Sequence, residues 1–355
     1  MIYTEFDPLQ EVIVGDCYAP GDLDRYMRDG DLSNFNKILE EHKQDLDSLA
    51  DFLKAGNVKV HRPTVHKYKK GIRMPGFEVR IPMAPLVPRD AYIVRDNTIL
   101  QTYTSMTDRY FDASSYYDIF REMFDQGYNW ISQPPPMLKN LYEQEEWYFD
   151  QTLYNSKLPD KLLWHTATMF QAGDAVIYNQ KGPGTKRGLE WMKRNLPDTR
   201  FVPSQHTLQN SFGHIDHGFI LIDDDTVLHS GKNWVPRALR KKKLIDLSPY
   251  LEPIHMDNYI EAYYGSKGRY DVAWIDKYLD NWKGYTQEVH FDLNCLILDS
   301  KNIVFGREMP KLFKFLDTLG ITSYTCNIRH AIYWSGDLHC STLDLKRQGV
   351  SRQLI

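Results

Sequence analysis

Four times along the chain a small polar residue stands at the mouth of a short apolar run. Asp90 precedes AYIVRDNTILQT, Asp174 precedes AVIYNQKGPG, Asp216 lies inside GHIDHGFILIDDDTVLHSGK, and Asn294 precedes CLILDSKNIVFG. Each run reads as a strand, a turn and a returning strand, the pattern of a β-hairpin. The four positions are spaced by roughly 40 residues or about twice that, which is a degenerate internal repeat rather than a strict tandem one. Asp and Asn also favour turns, so one such case carries little weight. Four together point to a quasi-symmetric arrangement whose strands deliver their entrance residues to a common cleft.

The remaining sequence supplies helices between these hairpins. Glu11 to Gly15 is a strand, and an apolar period through Phe35, Ile38, Leu39, Leu46, Leu49 and Phe52 predicts a helix over 34–55. A second helix is expected over 112–126, with Tyr116, Ile119, Phe120, Met123 and Phe124 as its inward stripe. Others are expected over 143–154, 186–195 and 310–319, with a strand over 321–326. The proline run ISQPPPM reads as a connector, IRHAIYWSGDLHC as a loop, and the residues after it as a basic tail.

Charge narrows the function classes. The 355 residues carry 43 basic and 47 acidic side chains, a net charge of −4, which argues against a nucleic-acid-binding surface. There is no membrane-length apolar run and no apolar signal core in MIYTEFDPLQEVIVG, so a cytoplasmic protein that engages no membrane is expected. Cys17, Cys295, Cys326 and Cys340 are widely separated and have no metal-knuckle spacing.

His214, Asp216 and His217 form an H-x-D-H cluster, with His206 and His229 nearby in sequence. On an extended strand 214 and 216 share a face and 217 takes the other, so the cluster could face one ion only if the chain bends there. An imidazole beside a carboxylate suits acid–base work next to a bound cation. Asp90, Asp174 and Asp216 would line an anionic cleft, and a planar guanidinium is the cation that carboxylates grip best. Cys340 supplies a nucleophile on a loop with Ser335 and Gly336. Its neighbour His339 would point the other way on an extended strand and is not expected to serve as base.

With FDPLQEVIVG, PRD at 88–90, QAGD at 171–174, HID at 214–216 and LHCSTLDLKRQG in family order, the sequence resembles the arginine:glycine and inosamine-phosphate amidinotransferases. The resemblance implies an α/β fold, a five-module pentein α/β-propeller of quasi-fivefold symmetry forming a single catalytic domain over 1–355. It implies Cys340 as nucleophile and His214 as acid–base group oriented by Asp174, with Asp90 and Asp216 gripping the donor. Lys232 stands near the position of the family's donor-carboxylate arginine but lacks its fork. The implied reaction moves an amidino group from L-arginine, or another guanidino donor, to a primary amine through an amidino-cysteine, without cofactor or metal. A homo-oligomer is compatible with the resemblance. The alternatives are a guanidino-group hydrolase using the same cysteine and a noncatalytic guanidino-ligand-binding protein. The sequence departs from the family pattern at Gln171, usually acidic, and at Ser335–Leu338, usually glycine-rich.

Overall fold

The computed structural model describes residues 1–27, 29–67, 71–74, 77–79, 81–103, 109–135, 162–180, 182, 184–204, 214–251, 293–334 and 336–355. Its frame among the described residues is five three-stranded sheets of one design, an antiparallel pair to which a third strand adds in parallel. The first sheet contains β1 (Leu9–Val14) and β2 (Lys59–His61); beside it lies a separate two-stranded ribbon, β3 (Ile72–Met74) with β4 (Phe77–Val79). Then come β5 (Tyr92–Arg95), β6 (Thr98–Gln101) and β7 (Asn129–Ser132), followed by β8 (Met169–Ala172), β9 (Ala175–Asn179) and β10 (Arg200–Ser204). The fourth sheet is β11 (Phe219–Leu221), β12 (Thr226–His229) and β13 (Lys243–Asp246), and the fifth β14 (Leu296–Asp299), β15 (Asn302–Phe305) and β16 (Thr322–Thr325). The final strand, β17 (Thr342–Arg347), returns to pair antiparallel with β1, Val14 opposite Thr342, and completes the first sheet.

A parallel third strand cannot follow a tight turn, so each sheet needs a crossover segment. Helix α1 (Asp29–Ala55) leads from β1 to β2, α2 (Ala113–Asp125) from β6 to β7, α3 (Lys186–Asn195) from β9 to β10, and α4 (Pro310–Thr318) from β15 to β16. Short 3-10 turns at Lys232–Trp234 and Arg237–Leu239 serve between β12 and β13. Stop signals work as expected: α1 gives way to Asn57 at φ 63°, α2 to Gly127 at φ 93°, and α4 to Gly320 at φ 74°. Thr185 caps α3 by accepting a hydrogen bond from the Gly188 amide at 3.0 Å.

The apolar cores link the sheets in a cycle. Ile13, Leu343, Tyr92 and Ile99 join the first two sheets with α2, and Ile93, Leu100, Met169 and Val176 join the second and third with α3. Phe170, Phe219, Val227 and Phe305 join the third, fourth and fifth, and Leu296 and Val304 return to Val12 and Val14 of the first. Among the described residues no helix is long and apolar enough to cross a membrane.

Several expectations change. Of the stripe on α2, Tyr116, Ile119, Phe120 and Met123 are buried, but Phe124 is 60% exposed because it falls on the outer edge of the arc. Ile131 and Ser132 are strand rather than connector. Ala331–Trp334 is a short helix, α5, where a loop was expected. The supposed basic tail is β17, and Arg347 is 2% exposed: it donates to the carbonyls of Asp7 at 2.6 Å and Ile297 at 2.8 Å and to Asp344 Oδ2 at 2.8 Å. The helix expected over 143–154 lies outside the described residues.

One glycine sets the shape of the fourth hairpin's mouth. A Cβ on Gly218 would stand 2.0 Å from the Trp234 ring, so only glycine lets the chain pass beneath that indole. Gly218→Ala should therefore destabilise the fold by about 1–3 kcal/mol, an overpacking cost that urea melts of variant and parent would read.

Candidate active site

The five antiparallel pairs bring their entrances together. Asp90 closes the 3-10 turn Pro88–Asp90 just before β5, Asn294 stands two residues before β14, Cys340 two residues before β17, and Asp216 three before β11. For the third sheet the corresponding place is the turn Thr166–Thr168 before β8, with His165 at its head. His214, Asp216, His217 and Cys340 each offer a side-chain atom within 4.8 Å of the others, and Asp90, His165 and His214 form a second group on the same terms. His214, common to both, spans from the thiol side to the Asp90 side.

Cys340 is 1% exposed and lies in a turn, not on a strand. Asn294 holds it from two directions. Its Oδ1 accepts the amides of Cys340 at 3.1 Å and Asp337 at 3.2 Å, while its Nδ2 donates to Cys340 Sγ at 3.2 Å and to Asp216 Oδ2 at 3.0 Å. The thiol itself lies 3.7 Å from Asp216 Oδ2. Burial and the charges of Asp216 and Asp90 push the thiol well above its ordinary pKa, against the pull of Asn294 and Arg89. These surroundings favour the protonated thiol, and an incoming cation would favour the thiolate.

Behind the thiol, His339 bridges two carboxylates, with Nδ1 2.6 Å from Asp216 Oδ2 and Nε2 2.8 Å from Glu5 Oε2. Both ring nitrogens facing acceptors call for the imidazolium. Burial and Arg89 oppose that charge, but Glu5 and Asp216 prevail and raise its pKa. Burial would also favour neutral Asp216, yet His217, His339 and His214 hold its carboxyl well below the usual range. Asp216 Oδ1 makes no hydrogen bond.

On the opposite side Arg109, 4% exposed, donates from Nη1 to Asp90 Oδ2 at 2.6 Å, from Nε to Asp112 Oδ2 at 2.7 Å and from Nη2 to the Val87 carbonyl at 2.9 Å. One Asp90 oxygen is thereby fixed and Oδ1 is left without a hydrogen bond. Burial disfavours charge on Asp90, but His165, Arg109 and His214 outweigh it and lower its pKa. His165 packs against His214 with ring centroids 4.8 Å apart, and burial pushes its pKa down to about 3, so it is neutral at physiological pH.

Of the residues singled out from sequence, Cys340, His214, Asp216 and Asp90 come together. Asp174 does not join them. It sits in the β8–β9 turn, paired with Arg200 at 3.2 Å, and the place beside His214 is taken by His165. Lys232 is exposed just past β12, beyond Ser230, whose amide bonds the Gly218 carbonyl. His229 is buried at the end of β12, where Nδ1 accepts the Gly231 amide at 3.1 Å, and His206 lies outside the described residues. Gln171 faces Arg95, with Oε1 3.3 Å from Nη1. The sequence reading missed His165, Arg109 and Glu5, and noted Asn294 only as a repeat position.

A buried thiol, an imidazole within reach and carboxylate oxygens on two sides are the groups that cysteine chemistry on a planar cation would use. No protein-family model matches the sequence. In sequence the chain is nevertheless similar along 98% of its length to amidinotransferases. It is 26% identical to the mitochondrial glycine amidinotransferase of Gallus gallus, covering 82% of it, and 23% identical to the L-arginine:L-lysine amidinotransferase of Pseudomonas savastanoi pv. phaseolicola, covering 94%. In fold it superposes with a TM-score of 0.74 on an amidinotransferase from the saxitoxin biosynthetic pathway of Microseira wollei, at 20% identity over 100% of this chain and 99% of that one. The resemblance to amidinotransferases carried by the sequence motifs is thus borne out.

Proposed function

We propose that the protein is an enzyme that transfers an amidino group from a guanidino donor, L-arginine first among them, to a primary amine through an amidino-cysteine. The observation that carries this reading is that Cys340, Asp216 and His214 offer side-chain atoms within 4.8 Å of one another, that Asp90 is grouped with the same His214, and that Asp216 and Asp90 each keep one oxygen without a hydrogen bond. The donor guanidinium lies with its N–H groups toward the two carboxylates and its central carbon over Sγ. Its positive charge offsets the carboxylates that keep the thiol protonated, His214 takes the thiol proton, and the thiolate attacks the carbon. His214 gives a proton to the departing amine, leaving the amidino group on sulfur. It then takes a proton from the acceptor amine as that amine attacks, and the thiolate is restored.

The five sheets are read as blades of a pentein α/β-propeller, a single catalytic unit over 1–355 with the site at its centre. The cyclic sharing of cores and the pairing of β17 with β1 support that reading. Four free cysteines and a thiol nucleophile suit a reducing, cytoplasmic setting. Asp174 is replaced in the proposal by His165 as the group that orients His214. Lys232 is kept as a residue of the rim that meets the donor's carboxylate.

Intact-protein mass spectrometry after incubation with arginine should show the gain of one amidino group, lost on adding an acceptor amine. No gain across several guanidino donors would sink covalent transfer and leave ligand binding alone. A gain that water discharges as readily as any amine would make the enzyme a hydrolase.

A further inference from the structure

The bend that a metal would require at the H-x-D-H cluster is present. Residues 215–218 turn before β11 begins, and this brings His217 round to the side of Asp216, with Nε2 3.4 Å from Oδ1. Cys340 Sγ lies 3.7 Å from the other oxygen of the same carboxylate. A tetrahedral zinc ion with bonds of about 2.0–2.3 Å spaces its ligands about 3.3–3.8 Å apart, and the separation of His217 Nε2 from Asp216 Oδ1 falls in that range. His214 completes a set of two imidazoles, a thiol and a carboxylate, all within 4.8 Å, so the widest separation need close by only about an ångström. Asp216 Oδ1 is buried and makes no hydrogen bond, whereas Oδ2 already receives His339 and Asn294. The carboxylate is therefore anchored through one oxygen and offers the other.

We propose that His214, Asp216, His217 and Cys340 form a site for zinc or a similar divalent transition metal, whose binding occupies the thiolate and reversibly blocks guanidino chemistry. Zinc enters as the thiol proton leaves to solvent, and a chelator with a proton reverses the step. Two other groups of the described residues compete less well. Glu11, His61 and Glu122 already hold Lys59 Nζ, at 3.0 Å and 2.7 Å from the two carboxylates. Asp90, His165 and His214 lack sulfur, and Arg109 holds Asp90. The inhibitory consequence rests on the transferase reading; the binding does not.

The test is titration of the metal-free protein with zinc chloride by calorimetry, and with cobalt(II) by absorption. One ion per chain is expected, with tetrahedral cobalt bands and a sulfur-to-metal charge-transfer band that Cys340→Ser removes. His217→Ala should weaken zinc binding at least tenfold. Zinc should also protect Cys340 of the parent from iodoacetamide until chelator is added, a readout that needs no variant. Absence of saturable binding, a cobalt spectrum without the sulfur band, or unchanged affinity in a folded His217→Ala protein would overturn the proposal. Loss of the adduct with metal binding intact would sink the transferase reading alone.

Discussion

Cys340→Ala should lower turnover by about 10⁴-fold or more, because it removes the atom that accepts the amidino group in the proposed mechanism. The fold should tolerate the change. Asn294 keeps Asp216 as an acceptor for its Nδ2, and its Oδ1 still accepts the backbone amides at 337 and 340. The variant should therefore melt close to the parent and still bind arginine, since the carboxylates proposed to grip the guanidinium are untouched. Calorimetric binding together with a steady-state assay separates these effects. Residual transfer within tenfold of the parent would show that another group carries the amidino intermediate.

The second large effect is structural first and catalytic second. Arg109→Met strips the partner from two buried carboxylates, Asp90 and Asp112, and breaking a buried ion pair in this one-sided way costs about 3–5 kcal/mol. Burial already raises Asp112 to about 6 despite Arg109, and without the guanidinium Asp112 should titrate higher still. The sign follows from linkage. A carboxyl whose folded pKa lies above its unfolded value binds more protons when folded, so the variant recovers stability as pH falls and is weakest at neutral pH and above. Urea melts at neutral and mildly acid pH measure this. In the variant that remains folded, Asp90 is no longer fixed, and KM for the donor should rise more than kcat falls. A variant as stable as the parent at both pH values would mean that Arg109 contributes nothing net.

Much of the site was legible because the fold repeats itself. Asp90, Asp216 and Asn294 each precede the first strand of a hairpin, and Cys340 does the same for β17. Asp174 misled because it precedes a second strand: Gly173 and Asp174 form a tight turn between β8 and β9, and a turn and a strand entrance use the same residue types. The true entrance of that module is HTAT, where no small acid announces it. His339 was set aside on the alternation of an extended strand, which fails because residues 338–341 form a turn. The same assumption separated His217 from its neighbours. Arg347 looked like solvated charge, since sequence does not reveal that three buried acceptors converge on one guanidinium. Arg109 was invisible for the same reason.

The pairing of β17 with β1 bears on how the protein becomes competent. Val14 meets Thr342 across nearly the whole chain, and contacts of such separation carry the greatest loop-closure entropy and tend to form slowly. Cys340 leads directly into that strand, so the reactive sulfur is seated by a joint that should close late. A half-assembled chain would hold its carboxylates without a correctly aimed thiol, and reactivity would arrive together with completion of the fold.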